Sequence, residues 1–131
     1  MELKYLDANI IIYWLGGDPL YGETATEIIK AIEEGDKAIT SSLSIWICHV
    51  ILSREADDYS LTAMLRSVSS LPYLRIAPLT IKHFEQAEEV VSEEELNLED
   101  AIHFVVAREY HCELIYSNDS DFDKVALKRK F

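Results

Sequence analysis

A chain of 131 residues with 49% hydrophobic residues has enough apolar material for one buried core, which excludes a disordered polymer and leaves no room for a second full domain. No run of about 18 apolar residues is present, so a membrane-spanning helix is not expected, and the opening residues lack the layout of a signal peptide, so a cytoplasmic protein is the expectation. The formal net charge of −12 is the reverse of a surface built for nucleic acid. It leaves three uses for the excess acid: solvated surface, a basic partner, or a cluster that holds cations.

The chain alternates strands and helices. Leu3–Leu6 is predicted as a strand ending at Asp7, and Asn9–Leu15 as a short apolar helix stopped by Gly16, Gly17 and Pro19. Leu20–Glu34 carries Ile28, Ile29 and Ile32 at helical spacing and is closed by Gly35. Lys37–Thr40 reads as a second strand, after which Ser42 or Ser44 is expected to cap an apolar helix reaching about Arg54. Asp58 or Ser60 opens another helix that ends before Pro72, and Leu74–Ala77 is a third strand. Thr80 caps a helix running into the exposed acidic run Glu93–Glu95, and Asn97 caps the next, Leu98 to about Tyr110. Glu113–Tyr116 is a fourth strand, followed by a short helix and an edge strand. This order predicts one domain over 1–131: an α/β fold whose parallel sheet is covered on both faces.

Two cysteines stand beside histidines, as Cys48–His49 and His111–Cys112. Helix neighbours point about 100° apart, and no C-x-x-C or H-x-x-x-H spacing occurs, so they read as free buried thiols rather than zinc ligands. Trp14, Trp46 and Tyr59 are expected in the core. The basic residues Lys124, Lys128, Arg129 and Lys130 read as a solvated tail.

The acidic residues are placed more tellingly. In a parallel sheet the active cleft lies beyond the carboxyl ends of the strands. Asp7 follows the first predicted strand and Asp119 the fourth. Asp7 lies between apolar runs, where a carboxylate is costly unless capping, paired or coordinated. Asp100 falls at the third position of the helix capped by Asn97; a capping box and an anion at the positive helix end are both open readings. Asp119, Asp121 and Asp123 form D-S-D-F-D. An EF-hand would need Gly and Glu where Lys124 and Lys130 stand, and is rejected. Carboxylates converging from these places would raise one another's pKa unless a cation neutralised them, and hard oxygen donors select Mg²⁺ or Mn²⁺.

Three segments carry a family likeness: Y-L-D-A-N at 5–9, L-x-L-x-D-A-I-H at 96–103 and S-N-D-S-D-F-D at 117–123. In order and spacing they resemble the signature segments of PIN domains, especially the VapC-like toxins. The resemblance implies a three-layer α/β/α sandwich and Mg²⁺- or Mn²⁺-dependent cleavage of RNA. It also implies a homodimer and a groove for an antitoxin protein. By motif matching, Asp7, Asp100 and Asp119 fall on the family's metal-site acids, and Asp121 on a more variable acidic place nearby. Ser117 falls on a residue that orients the cluster, and Asn9 on a small polar neighbour. The family's second acid, a Glu in the helix after the second strand, is here Ile47. The nearest acid along that helix, Glu55, is about 12 Å away at 1.5 Å rise per residue. Reduced activity, or a non-catalytic PIN-fold binding protein, follows as an expectation. A haloacid-dehalogenase-like phosphatase is the other enzyme reading, from Asp7 and the D-x-x-x-D of Asp119 and Asp123. It would need an Asp where Asn9 stands.

Overall fold

The structure is a computed structural model describing residues 2–131. It contains β1 (Lys4–Leu6), α1 (Ala8–Gly16), α2 (Gly22–Glu33), β2 (Ala38–Ser41), α3 (Ser42–Glu55) and α4 (Leu61–Ser69). It continues through β3 (Leu74–Ala77), α5 (Ile81–Glu94), α6 (Leu98–Glu109), β4 (Leu114–Tyr116), a 3-10 turn (Ser120–Lys124) and β5 (Lys128–Lys130). The five strands form one parallel sheet in the order β3-β2-β1-β4-β5. The order of connection reverses between β1 and β4, so the carboxyl ends of those two strands flank the crevice where such sheets bind ligands.

Strand alternation sorts the core into layers. Tyr5, Ile39 and Ile115 pack with Ala101, Val105 and Val106 of α6 and Ala87 of α5. Leu6, Ala38, Leu114 and Tyr116 face the opposite way, onto Ile10 of α1 and Ala25, Ile29 and Ile32 of α2. A third cluster joins α1 to α3 and α4 through Ile11, Cys48, Leu52, Met64 and Val68. The α/β/α sandwich is therefore built from period-2 strands between two helical layers. Helix α6 is buried along nearly its whole length, from Asp100 to Ala107; it is a core helix with polar residues only where the site needs them.

Several local expectations are corrected. Neither Ser42 nor Ser44 caps α3; Ser41 occupies the N-cap position without a side-chain bond. Ser42 Oγ instead accepts from Leu79 N at 2.9 Å, and Ser44 Oγ lies 2.6 Å from Thr40 Oγ1. These hydroxyls tie α3 to the sheet ends, a tertiary use that local propensity does not reveal. Trp46 is 62% exposed rather than core. The basic tail is solvated at Lys124, Lys128 and Lys130, and Lys128–Lys130 pairs with β4 as the expected edge strand. Cys48 and Cys112 are free thiols, the second only partly buried.

The Asn97 cap is present, its side chain accepting from Asp100 N at 2.8 Å. Asn97→Ala is expected to cost about 1 kcal/mol, seen as a lower urea midpoint with unchanged slope.

Candidate metal centre

Asp7 directly follows β1, at the N-cap position of α1, yet its side chain makes no cap bond. It is 5% exposed, and its Oδ2 accepts from Ser117 Oγ at 2.7 Å. Ser117, fully buried beyond β4, accepts in turn from Asp119 N at 3.0 Å. Asp119 Oδ1 accepts from Asp121 N at 2.9 Å and opens the 3-10 turn. The S-N-D-S-D run is thus wound by successive side-chain-to-backbone bonds, the habit of Ser and Asp in tight turns. Phe122, fully buried between them and Asp123, anchors the turn to the core.

Asp100 comes from the other side, on the first turn of α6. It is 4% exposed. The return bond of a capping box is not made; its Oδ2 is buried without any hydrogen-bond partner. Asp100, Asp119 and Asp121 each present an oxygen within 4.8 Å of the other two. Asp7 lies outside that trio, joined to it through Ser117. Asn9, half-buried in the first turn of α1, makes no side-chain hydrogen bond to these acids. Asp123 turns away: its carboxylate accepts from Arg129 Nε and Nη2 at 3.0 and 3.1 Å, and that guanidinium lowers its pKa. Arg129 Nη1 also donates to the Ser117 carbonyl at 3.3 Å, fastening β5 to the site.

The electrostatics follow the geometry. Burial, then the charges of Asp119 and Asp7, push Asp100 up to about 7. Glu99 is also raised, first by burial and then by Asp7 and Asp119, so a further acid shares this field. A half-desolvated carboxylate group without a counter-charge is unfavourable, and the orphaned Asp100 oxygen is the atom a cation would satisfy. The donors are all hard oxygens in a compact cluster, which fits Mg²⁺ or Mn²⁺. Lys124 Nζ, 3.5 Å from Asp121, is a nearby positive group on the exposed rim. Ile47, which motif matching sets against the family's second acid, packs against the apolar cluster of α1, α3 and α4.

Two groups escaped the site assignment made from sequence. His103 is fully buried, with Nδ1 2.7 Å from Tyr5 OH and Nε2 3.6 Å from Asp7 Oδ1. Its signals were a lone polar residue in the apolar run of α6, three places after Asp100, and its place as the last residue of the L-x-L-x-D-A-I-H segment.

A parallel sheet with carboxylates at the β1 and β4 ends and at the start of α6 is the arrangement of a PIN fold. The chain matches the PIN domain family over residues 4–128 and belongs to it. Among solved structures it is similar to VapC20 of Mycobacterium tuberculosis, described as a sarcin-ricin loop cleaving toxin. That match has 17% identity and a TM-score of 0.80, covering 95% of each chain. It is similar to VapBC2 of Rickettsia felis, determined with a promoter DNA fragment, at 16% identity and TM-score 0.73, covering 98% of this chain and 97% of that one. It also resembles FitAcB of Neisseria gonorrhoeae, at 14% identity and TM-score 0.70, covering 98% and 96%. No curated protein is close enough in sequence to count as a match. Membership in the PIN family sets the phosphatase reading aside.

Proposed function

We propose that this protein is a Mg²⁺- or Mn²⁺-dependent endoribonuclease, the toxin of a VapBC-type toxin–antitoxin pair. One observation carries the reading: a buried, unpartnered Asp100 oxygen within a trio of carboxylates. Asp7, Asp100, Asp119 and Asp121 would hold the ion, Asp7 joining the trio formed by the other three. A divalent ion in such a setting activates water and stabilises the leaving oxygen of a phosphodiester. The chain's own part is to aim the oxygens: Ser117 fixes Asp7, the Asp119 turn fixes Asp121, and Asn97 fixes the α6 terminus. Asn9 is assigned a supporting place beside them.

The partners follow from the surface. A net charge of −12 suits a basic antitoxin, and a further similar structure, from Klebsiella pneumoniae at 18% identity and TM-score 0.70, is described as a toxin–antitoxin complex. A homodimer and an antitoxin groove belong to the same reading, as the family likeness implies. A cytoplasmic site of action is part of the same proposal; no helix among the described residues is long and apolar enough to cross a membrane.

The test is cleavage of labelled RNA with Mn²⁺ or Mg²⁺, with Asp7→Asn and Asp100→Asn as controls. Metal-independent cleavage, or full activity in both variants, would sink the reading. No turnover with a dimer retained would favour a non-catalytic binding protein, for which Ile47 is the specific support. Ile47→Glu separates the two. If the centre is merely depleted, the substitution is expected to raise cleavage at limiting Mn²⁺ by at least about tenfold, the worth of even an outer partner of a metal ligand. No gain would count against the placement of that residue at the site.

A further inference from the structure

Tyr5 and Asp7 stand two residues apart at the end of β1 and so share a face; Asp100 and His103 stand one turn apart on α6 and share another. The two pairs meet. Tyr5 and His103 are both fully buried, their rings 5.5 Å apart and edge-on. His103 Nε2 is one of the two buried side-chain polar atoms without a hydrogen-bond partner among the described residues; the other is Asp100 Oδ2. Its nearest charged neighbour is Asp7 Oδ1, at 3.6 Å, longer than a hydrogen bond.

The direction of the chain is fixed by the carboxylate, which only accepts. A neutral imidazole with its proton on Nδ1 would turn the Nε2 lone pair toward an anion in a dry interior. The proton therefore belongs on Nε2. Nδ1 is then an acceptor, so the Tyr5 hydroxyl donates to it at 2.7 Å. The Tyr5 oxygen also lies 3.2 Å from Ser41 Oγ; with its own proton given to Nδ1, its part in that hydroxyl pair is the acceptor's. On the far side of Asp7, Ser117 donates to Oδ2. Each carboxylate oxygen thus faces one donor group, and the plane of Asp7 is set from both flanks.

We propose that His103, held in one tautomer by the Tyr5 hydroxyl, is the positioning residue of Asp7. The proposal rests on the metal-centre reading above. It gives a role to a fully buried histidine that the acid cluster does not itself use. Outer groups that orient metal-site side chains typically change ion affinity 10- to 100-fold when lost.

The test is Mn²⁺ binding, followed by the electron spin resonance of the free ion, together with ¹⁵N–¹H correlation of the histidine rings in metal-free protein. Wild type is compared with Tyr5→Phe, His103→Gln, His103→Leu and Asp100→Asn. Tyr5→Phe, which keeps the ring, is expected to weaken Mn²⁺ binding about tenfold and His103→Leu by up to about 100-fold, with His103→Gln restoring most of the loss through an amide donor. His103 of the wild type should show its proton on Nε2 alone, and Tyr5→Phe should mix the tautomers. Wild-type affinity in folded Tyr5→Phe, or a wild-type proton on Nδ1, would overturn the proposal whether or not His103→Leu folds. Failure of the wild type itself to bind Mn²⁺, or unaltered binding by Asp100→Asn, would overturn the metal-centre reading and the proposal with it. That outcome is distinguishable, because the ring signals do not depend on metal.

Discussion

Asp100→Asn is expected to abolish RNA cleavage and, in the same molecule, to stabilise the metal-free fold. The two effects share a cause. Asp100 is 4% exposed, has an unpartnered oxygen, and sits in the field of Asp119 and Asp7. An ionised group in that place is unfavourable until a cation arrives. Replacing it with a neutral amide removes the charge, so metal-free Asp100→Asn should be more stable at pH 8 by on the order of 1–3 kcal/mol. Loss of a ligand to the ion should reduce cleavage by on the order of a thousandfold or more, since the ion's contribution amounts to several kcal/mol. Mn²⁺ should raise the Tm of the wild type at pH 8 and leave Asp100→Asn nearly unmoved.

The pH dependence has a definite sign. The carboxyl of Asp100 is raised from 3.8 to about 7 in the fold. Its contribution to stability is fully present below the unfolded value and is lost as pH rises through the folded one. His103 acts oppositely: burial lowers its pKa from 6.5, so its contribution is lost as pH falls below that value. Below about pH 6.5 the two therefore act in opposite directions. Between about 6.5 and 8 the folded Asp100, titrating near 7, outweighs the fading contribution of the unfolded-state His103, and metal-free wild type should lose stability across that window. The slope should be flatter in Asp100→Asn. A wild-type Tm that rises from pH 6.5 to 8 relative to the variant would contradict the raised pKa.

The parts of this molecule legible in its sequence are those governed by short-range rules. Leu74–Ala77 is a strand in both the pattern and the structure, because period-2 apolar spacing and the preceding Pro72 leave little choice. Asn97 caps α6 as expected. The same rules misjudge Ser42 and Ser44, whose hydroxyls bond across the fold instead of capping their own helix. They also leave Asp7 equally plausible as a cap. Only the meeting of β1 with β4, 110 residues apart in the chain, hands that carboxylate to Ser117. The acids at 100, 119 and 121 were legible as candidates from strand ends and family likeness; that three of them form a trio with Asp7 outside it was not. Tyr5 and His103 were hidden for a different reason. A Tyr in a strand and a His in an apolar helix look like core, and both are core by burial. Their hydrogen bond is a tertiary fact with no local signature.

Ser117→Ala should be the most damaging substitution at a residue that carries no charge. Its hydroxyl does two jobs at once, donating to Asp7 Oδ2 at 2.7 Å and accepting from Asp119 N at 3.0 Å. Removing it leaves a buried carboxylate oxygen without its donor and a backbone N–H without its acceptor, at about 1–3 kcal/mol for each unsatisfied group. Because the same bonds aim Asp7 and begin the Asp119 turn, cleavage should fall about 10- to 100-fold in protein that is still folded. Ser117→Thr keeps the hydroxyl, so it should retain the link while an added methyl strains a fully buried position by about 1–3 kcal/mol. The two substitutions therefore separate hydrogen bonding from packing: Ala loses activity more than Thr does, whatever their relative stabilities. A double-mutant cycle with Asp7→Asn makes the attribution. The stability cost of Ser117→Ala should shrink when Asp7 carries no charge, with a coupling of about 0.5–3 kcal/mol. Strict additivity would mean that Ser117 serves the Asp119 turn alone, and that the orientation of Asp7 is set elsewhere.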